Sequence, residues 1–145
     1  MSQEKVELVR SLQPTPDTDL VALLRDDAAA DALREAVSPF FHEDFEAVLP
    51  TVGPQRVRFM GLEGLRDAWL DWLDPWESYR VELEEVIDAG DEVVLLWHDY
   101  GRRAGMAVEV RVAGAAVWTV RDGKIARVAF YLDRTEAFEA VGLSE

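Results

Sequence analysis

The sequence predicts an α+β domain in which a curved, mostly antiparallel sheet wraps around N-terminal helices and a short C-terminal helix follows. Three observations carry this. Apolar residues recur at helical spacing through residues 1–39, whereas alternating runs dominate from Tyr79 onward. Trp118 to Asp133 places apolar strand residues on both sides of Arg121-Asp122-Gly123-Lys124, and Asp-Gly supplies the positive-φ corner of a tight hairpin. Strands outnumber the crossovers available to connect them, which requires largely antiparallel pairing.

Val6, Leu8, Val9 and Leu12 give a first helix. It ends at Gln13-Pro14-Thr15-Pro16-Asp17, the only linker candidate, where Asp17 is placed to cap a second helix carrying Leu20, Val21, Leu23 and Leu24. Ala28 to Val37 forms a third, stopped by Ser38-Pro39. Phe45 to Leu49 ends at Pro50 and suits a short strand at a sheet edge. Gly61-Leu62-Glu63-Gly64 opens a helix in which Leu62, Leu65, Trp69, Trp72 and Trp76 fall at intervals of 3, 4, 3 and 4, one stripe facing the interior. Four strands follow, over Tyr79 to Ile87, Glu92 to Tyr100, Met106 to Val120 and Lys124 to Leu132. Asp133 then caps a last helix, with Glu136 three positions on and Gly142 as its stop.

A chain of 145 residues supports one domain over 1–145 and one core. Fifteen Lys+Arg against 29 Asp+Glu give a formal charge of −14, which repels nucleic-acid phosphates and anionic headgroups, so neither nucleic acid nor membrane is an expected partner. Without Cys there is no disulfide or thiolate site, and His42 and His98 alone make a poor ligand supply; no metal and no cofactor is expected. The N-terminus lacks the apolar core of a signal peptide and no 18 apolar residues run together, so a cytoplasmic location is the expectation.

The opening Met-Ser-Gln-Glu-Lys-Val-Glu-Leu-Val-Arg, the Gly61-Leu62-Glu63-Gly64 helix start, the Val117 to Ile125 hairpin and the Tyr131-Leu132-Asp133 to Gly142-Leu143 ending together resemble the SnoaL-like branch of the NTF2-like superfamily. The resemblance implies a cone-shaped α+β fold enclosing one apolar pocket, used by relatives as isomerases, polyketide cyclases, dehydratases, epoxide hydrolases or plain binding modules, and by analogy a homodimer. The chain departs from that pattern between residues 13 and 40, where Pro14, Pro16 and an added helical stretch replace a simple turn. This atypical part of the helical region 1–39 covers either the pocket mouth or the dimer face.

Isomerases of this superfamily abstract a proton next to a carbonyl and hold the developing oxyanion, which needs two carboxyl positions. Laid over the ketosteroid isomerase pattern, those positions hold Leu49 and Ala116, which exchange no protons; a one-residue slip brings Val48 and Ala115 instead. Glu109 and Arg111 imitate an epoxide hydrolase pair, but alternation from Trp118 puts both on the face opposite Ala116, as a surface pair. His98, mid-strand with Tyr100 on the same face, is the candidate for general acid–base catalysis, with a packed polar role as the alternative. His42, beside Glu43 and Asp44, reads as a loop or capping residue. Leu49, Trp69, Trp72, Trp76, Ala116, Trp118, Val128, Phe130 and Leu132 are the candidate pocket wall, as indole rings suit an apolar ligand. The expected function is binding of a small hydrophobic molecule in this tryptophan-rich pocket. The alternative is an isomerase, cyclase or hydrolase acting through His98 on a small polyketide-like or carbonyl substrate.

Overall fold

The computed structural model describes residues 2–50 and 56–142, so Leu143 of the terminal motif lies outside the described residues. Three helices open the chain: α1 (Ser2–Ser11), α2 (Leu20–Arg25) and α3 (Asp27–Val37), the last running into a 3₁₀ turn at Ser38–Phe40. Strands β1 (Phe41–Pro50) and β2 (Arg56–Met60) precede helix α4 (Gly61–Leu73). Strands β3 (Trp76–Ala89), β4 (Glu92–Arg103), β5 (Glu109–Arg121) and β6 (Lys124–Tyr131) follow, then helix α5 (Arg134–Ala140). The strands form one sheet in the order β2-β1-β6-β5-β4-β3. All neighbours are antiparallel except β1 and β6, whose parallel pairing is possible because α4 and four strands intervene in sequence.

The α+β class and its mostly antiparallel curved sheet are as expected; several boundaries are not. β2 was not anticipated. It pairs outside β1, Leu49 opposite Val57, so β1 is an interior strand and the edges are β2 and β3. Trp76 leaves the helical stripe: α4 stops at Leu73, Pro75 has no N–H to extend the helix, and Trp76 becomes the first residue of β3. Asp17 does not cap α2. Its carboxylate accepts from Thr15 Oγ1 at 2.7 Å, and Asp19 caps instead, accepting from Val21 N at 3.0 Å and Tyr79 N at 3.1 Å. That shared carboxylate ties the start of α2 to β3. The third predicted strand begins at Glu109, leaving Met106 and Val108 outside it and exposed. Asp133 caps α5 as expected, accepting from Thr135 N.

The β5–β6 turn has φ of 54° at Asp122 and 77° at Gly123, the paired positive angles that match strand twist. Bulges in β3 near Ser78 and Glu84, and between Thr119 and Val120 in β5, bend the sheet. Its concave face packs Phe45, Ala47, Val93, Leu95, Trp97, Ala116, Trp118 and Val128 against α1, α2 and α4. On the convex face Val94, Leu96, Ala115 and Val117 meet Ala137 and Phe138 of α5. At Gly101 an added Cβ would stand 2.5 Å from Trp76 Cε3, so only glycine lets that indole lie on the sheet.

Candidate functional site

Between the concave face and the N-terminal helices lies a cavity of about 420 Å³. Its floor is made of alternate residues from neighbouring strands, Phe41, Val81, Trp97, Trp118 and Phe130. Its roof comes from the Leu12–Thr18 connection, from Leu20, Leu23 and Leu24 of α2, from Ala30, Leu33 and Val37 of α3, and from Leu62, Leu65 and Trp69 of α4. Charge is confined to a rim of Asp31, Arg34, Glu63 and Arg66. These residues are engaged with each other and their surroundings: Arg34 pairs with Glu63 at 3.0 Å and Asp31 at 3.2 Å, and Arg66 reaches the Leu24 carbonyl at 2.7 Å. Trp118 is 6% exposed, and its indole nitrogen finds no hydrogen-bond partner among the described residues. The rest of the described lining is mainly hydrocarbon, with the neutral polar side chains Ser11, Gln13, Thr15 and Thr18 grouped along the connection from α1 to α2.

A smaller chamber of about 50 Å³ adjoins it, sharing Trp69, Trp97 and Phe130, and is completed by Leu49, Trp72, Val112, Gly114 and Leu132. Its one ionisable lining carboxylate is Asp99. Tyr79 Oη donates to Asp99 Oδ2 at 2.5 Å, and the Tyr79 ring meets Trp72 edge-on with centroids 6.5 Å apart. The second carboxylate oxygen, Oδ1, is buried without a partner among the described residues. Burial pushes the Asp99 carboxyl up from an ordinary 3.8 to about 6, against the opposing pull of the Tyr79 hydrogen bond and the charge of His98. Burial, and then the charge of Asp99, push the Tyr79 phenol above its ordinary range.

Of the nine expected wall residues, Trp69, Trp118 and Phe130 line the large cavity, and Leu49, Trp69, Trp72, Phe130 and Leu132 line the small one. Trp76, Ala116 and Val128 are buried in the core beneath, lining neither. Leu49 and Ala116 both belong to the concave side, so the positions where the resemblance looks for acids are indeed apolar and turned inward. One carboxylate does enter the hollow, Asp99, which strand β4 supplies. His98 and Tyr100 do share a face, and it is the one turned away from both cavities. Alternation along β4 turns Trp97 and Asp99 inward and sends their neighbours to the convex side, where His98 bonds Glu84 and Tyr100 lies 4.1 Å beneath the Arg80 guanidinium. The Arg134 hydrogen bond, and then His98, hold the Glu84 carboxyl below its usual range. Glu109 is on that face as expected, but the partner it meets is Arg80 at 3.1 Å, where the expected one was Arg111. His42 donates to the Arg121 carbonyl at 2.5 Å.

Asp99 went unread because Val93 to Trp97 is apolar at every position, so periodicity could not say which face it shared. The signal was Asp99 standing two residues beyond Trp97 in register with Val93 and Leu95. The roof was missed for another reason: Ala30, Leu33 and Val37 share one helix face, yet nothing local says what that face covers.

The SnoaL-like domain family matches residues 20–128. No protein of curated function matches the chain. A SnoaL-like polyketide cyclase, so named provisionally, from Jannaschia sp. CCS1 superposes with a TM-score of 0.64 at 18% identity, over 99% of this chain and 94% of its own. An NTF2-like protein of unknown function from Mesorhizobium loti gives 0.59 at 21% identity, over 90% and 91%. TerC, co-crystallised with polyporic acid, gives 0.58 at 20% identity, over 83% and 94%. These likenesses are of fold. With the family match spanning β1 to β6 and the helices that roof the cavity, this chain belongs to the SnoaL-like domain family.

Proposed function

We propose that this protein binds a small hydrophobic molecule in the cavity under α1 to α4. The observation that carries the reading is the cavity itself: about 420 Å³, walled mainly by aromatic and aliphatic side chains, with the charged groups among the described residues at its rim. Neighbours of the same fold include one provisionally named a polyketide cyclase and one co-crystallised with polyporic acid, which agrees with a ligand built on apolar rings.

The test is titration with naphthalene, followed by quenching of tryptophan fluorescence, in the wild type and in Ala30→Phe. Ala30 is buried in α3 and lines the roof, so the larger ring fills ligand space. Saturable quenching in the wild type, weakened about tenfold or more in the variant with its circular dichroism unchanged, is the expected result. Equal binding by both chains would remove the cavity from the account.

A second reading, general acid–base chemistry of the isomerase or cyclase type, is favoured by one observation: an ionisable carboxyl hydrogen-bonded to a phenol inside an apolar chamber. In that reading Asp99 takes the place given above to His98, whose side chain faces Glu84 across the convex surface. Turnover of a family substrate abolished by Asp99→Asn and retained by His98→Ala would support it.

A further inference from the structure

We propose that Asp99 Oδ1 is the docking point for a hydroxyl group of the bound molecule, so that the ligand is an apolar ring system carrying at least one alcohol, enol or phenol. The proposal rests on the apolar-ligand reading above and adds its polar anchor. The two oxygens of this carboxylate are treated differently by the fold. Oδ2 receives the hydroxyl of Tyr79, whose ring is packed between Trp69, Trp72 and Trp76, which fixes the plane of the group. Oδ1 is buried and lacks a donor among the described residues. A buried acceptor left unmatched is destabilising, and a charged one more so, so a fold that keeps one does so at a loss unless something supplies the hydrogen.

What can supply it is limited by the walls. The lining side chains that carry donors, Trp69, Trp72, Trp97 and Tyr131, make no hydrogen bond to Oδ1, and among the described residues no Lys or Arg lines this chamber. Leu132 is 55% exposed, so the chamber opens to solvent on that side, while Trp69, Trp97 and Phe130 join it to the large cavity. A neutral hydroxyl fits this setting better than an ammonium group, because bringing a second full charge into an apolar chamber adds its own desolvation penalty. The ring system then lies against Trp69 and Phe130, with its hydroxyl toward Asp99.

The experiment compares 2-naphthol with 2-methoxynaphthalene, the same ring with its donor methylated, by calorimetry on the wild type and on Asp99→Asn at pH 7.5. A hydrogen bond to a charged acceptor predicts that the wild type binds 2-naphthol about tenfold or more tightly than its methyl ether. In Asp99→Asn that ratio should fall severalfold or more, with binding of the ether unchanged. Equal affinity of the wild type for both probes, or a ratio undiminished in the variant, overturns the anchor while leaving apolar binding intact. Failure of both probes to bind overturns the anchor and the apolar-ligand reading together.

Discussion

Replacing Asp99 by Asn should make the protein more stable, and more so as pH rises. Burial raises the Asp99 carboxyl from an ordinary 3.8 to about 6, so the folded chain holds this proton across a range in which the unfolded chain has released it. Stability contributed by the group is therefore largest below pH 3.8, falls as pH rises through the interval, and is fully lost above about 6. At 1.36 kcal/mol per pH unit the whole interval is worth about 3 kcal/mol. Asn accepts the Tyr79 hydroxyl but never ionises, so the variant escapes the penalty. Its advantage should be about 3 kcal/mol at pH 8 and about 1.5 kcal/mol at pH 5. Urea unfolding followed by tryptophan fluorescence at both pH values measures this, and taking the difference between the two chains cancels the response of the other carboxylates. His98, whose positive form pulls Asp99 downward, is common to both. An advantage independent of pH, or a variant less stable at pH 8, would refute the claim that this carboxyl is held in a desolvated chamber. The corresponding change in Tm at pH 8 is roughly 6–12 °C.

Two further outcomes follow from the packing. Gly101→Ala drives a methyl group to 2.5 Å from Trp76 and 2.9 Å from Tyr79, so unfolding free energy should drop by about 1–3 kcal/mol; an unchanged urea midpoint would contradict the close approach. Arg134→Ala removes the bonds from α5 to Glu84 at 2.8 Å and to the Trp97 carbonyl at 3.0 Å, so hydrogen exchange should quicken in α5 while the β5–β6 amides stay protected. Equal protection of α5 in both chains would show that Ala137 and Phe138 alone dock the helix.

Much of the architecture was legible locally. The Asp122-Gly123 turn, the Asp133 cap and the spacing of Leu62, Leu65, Trp69 and Trp72 each depend on near neighbours in the chain, and each holds in the structure. Where a boundary moved, a nonlocal partner moved it. β2 becomes a strand by pairing with β1, and Asp19 rather than Asp17 caps α2 because the same carboxylate also takes the Tyr79 amide.

The sequence by itself determined the class of fold, the apolar stock of the pocket wall and the absence of acids at Leu49 and Ala116, since composition and period are properties of the chain. Tertiary structure alone decided which face each residue of β4 presents. Because side chains alternate at a period of two, a strand apolar on both sides gives no sign of its orientation; only packing of α5 on one face and α1 to α4 on the other assigns His98 to the convex surface and Asp99 to the hollow.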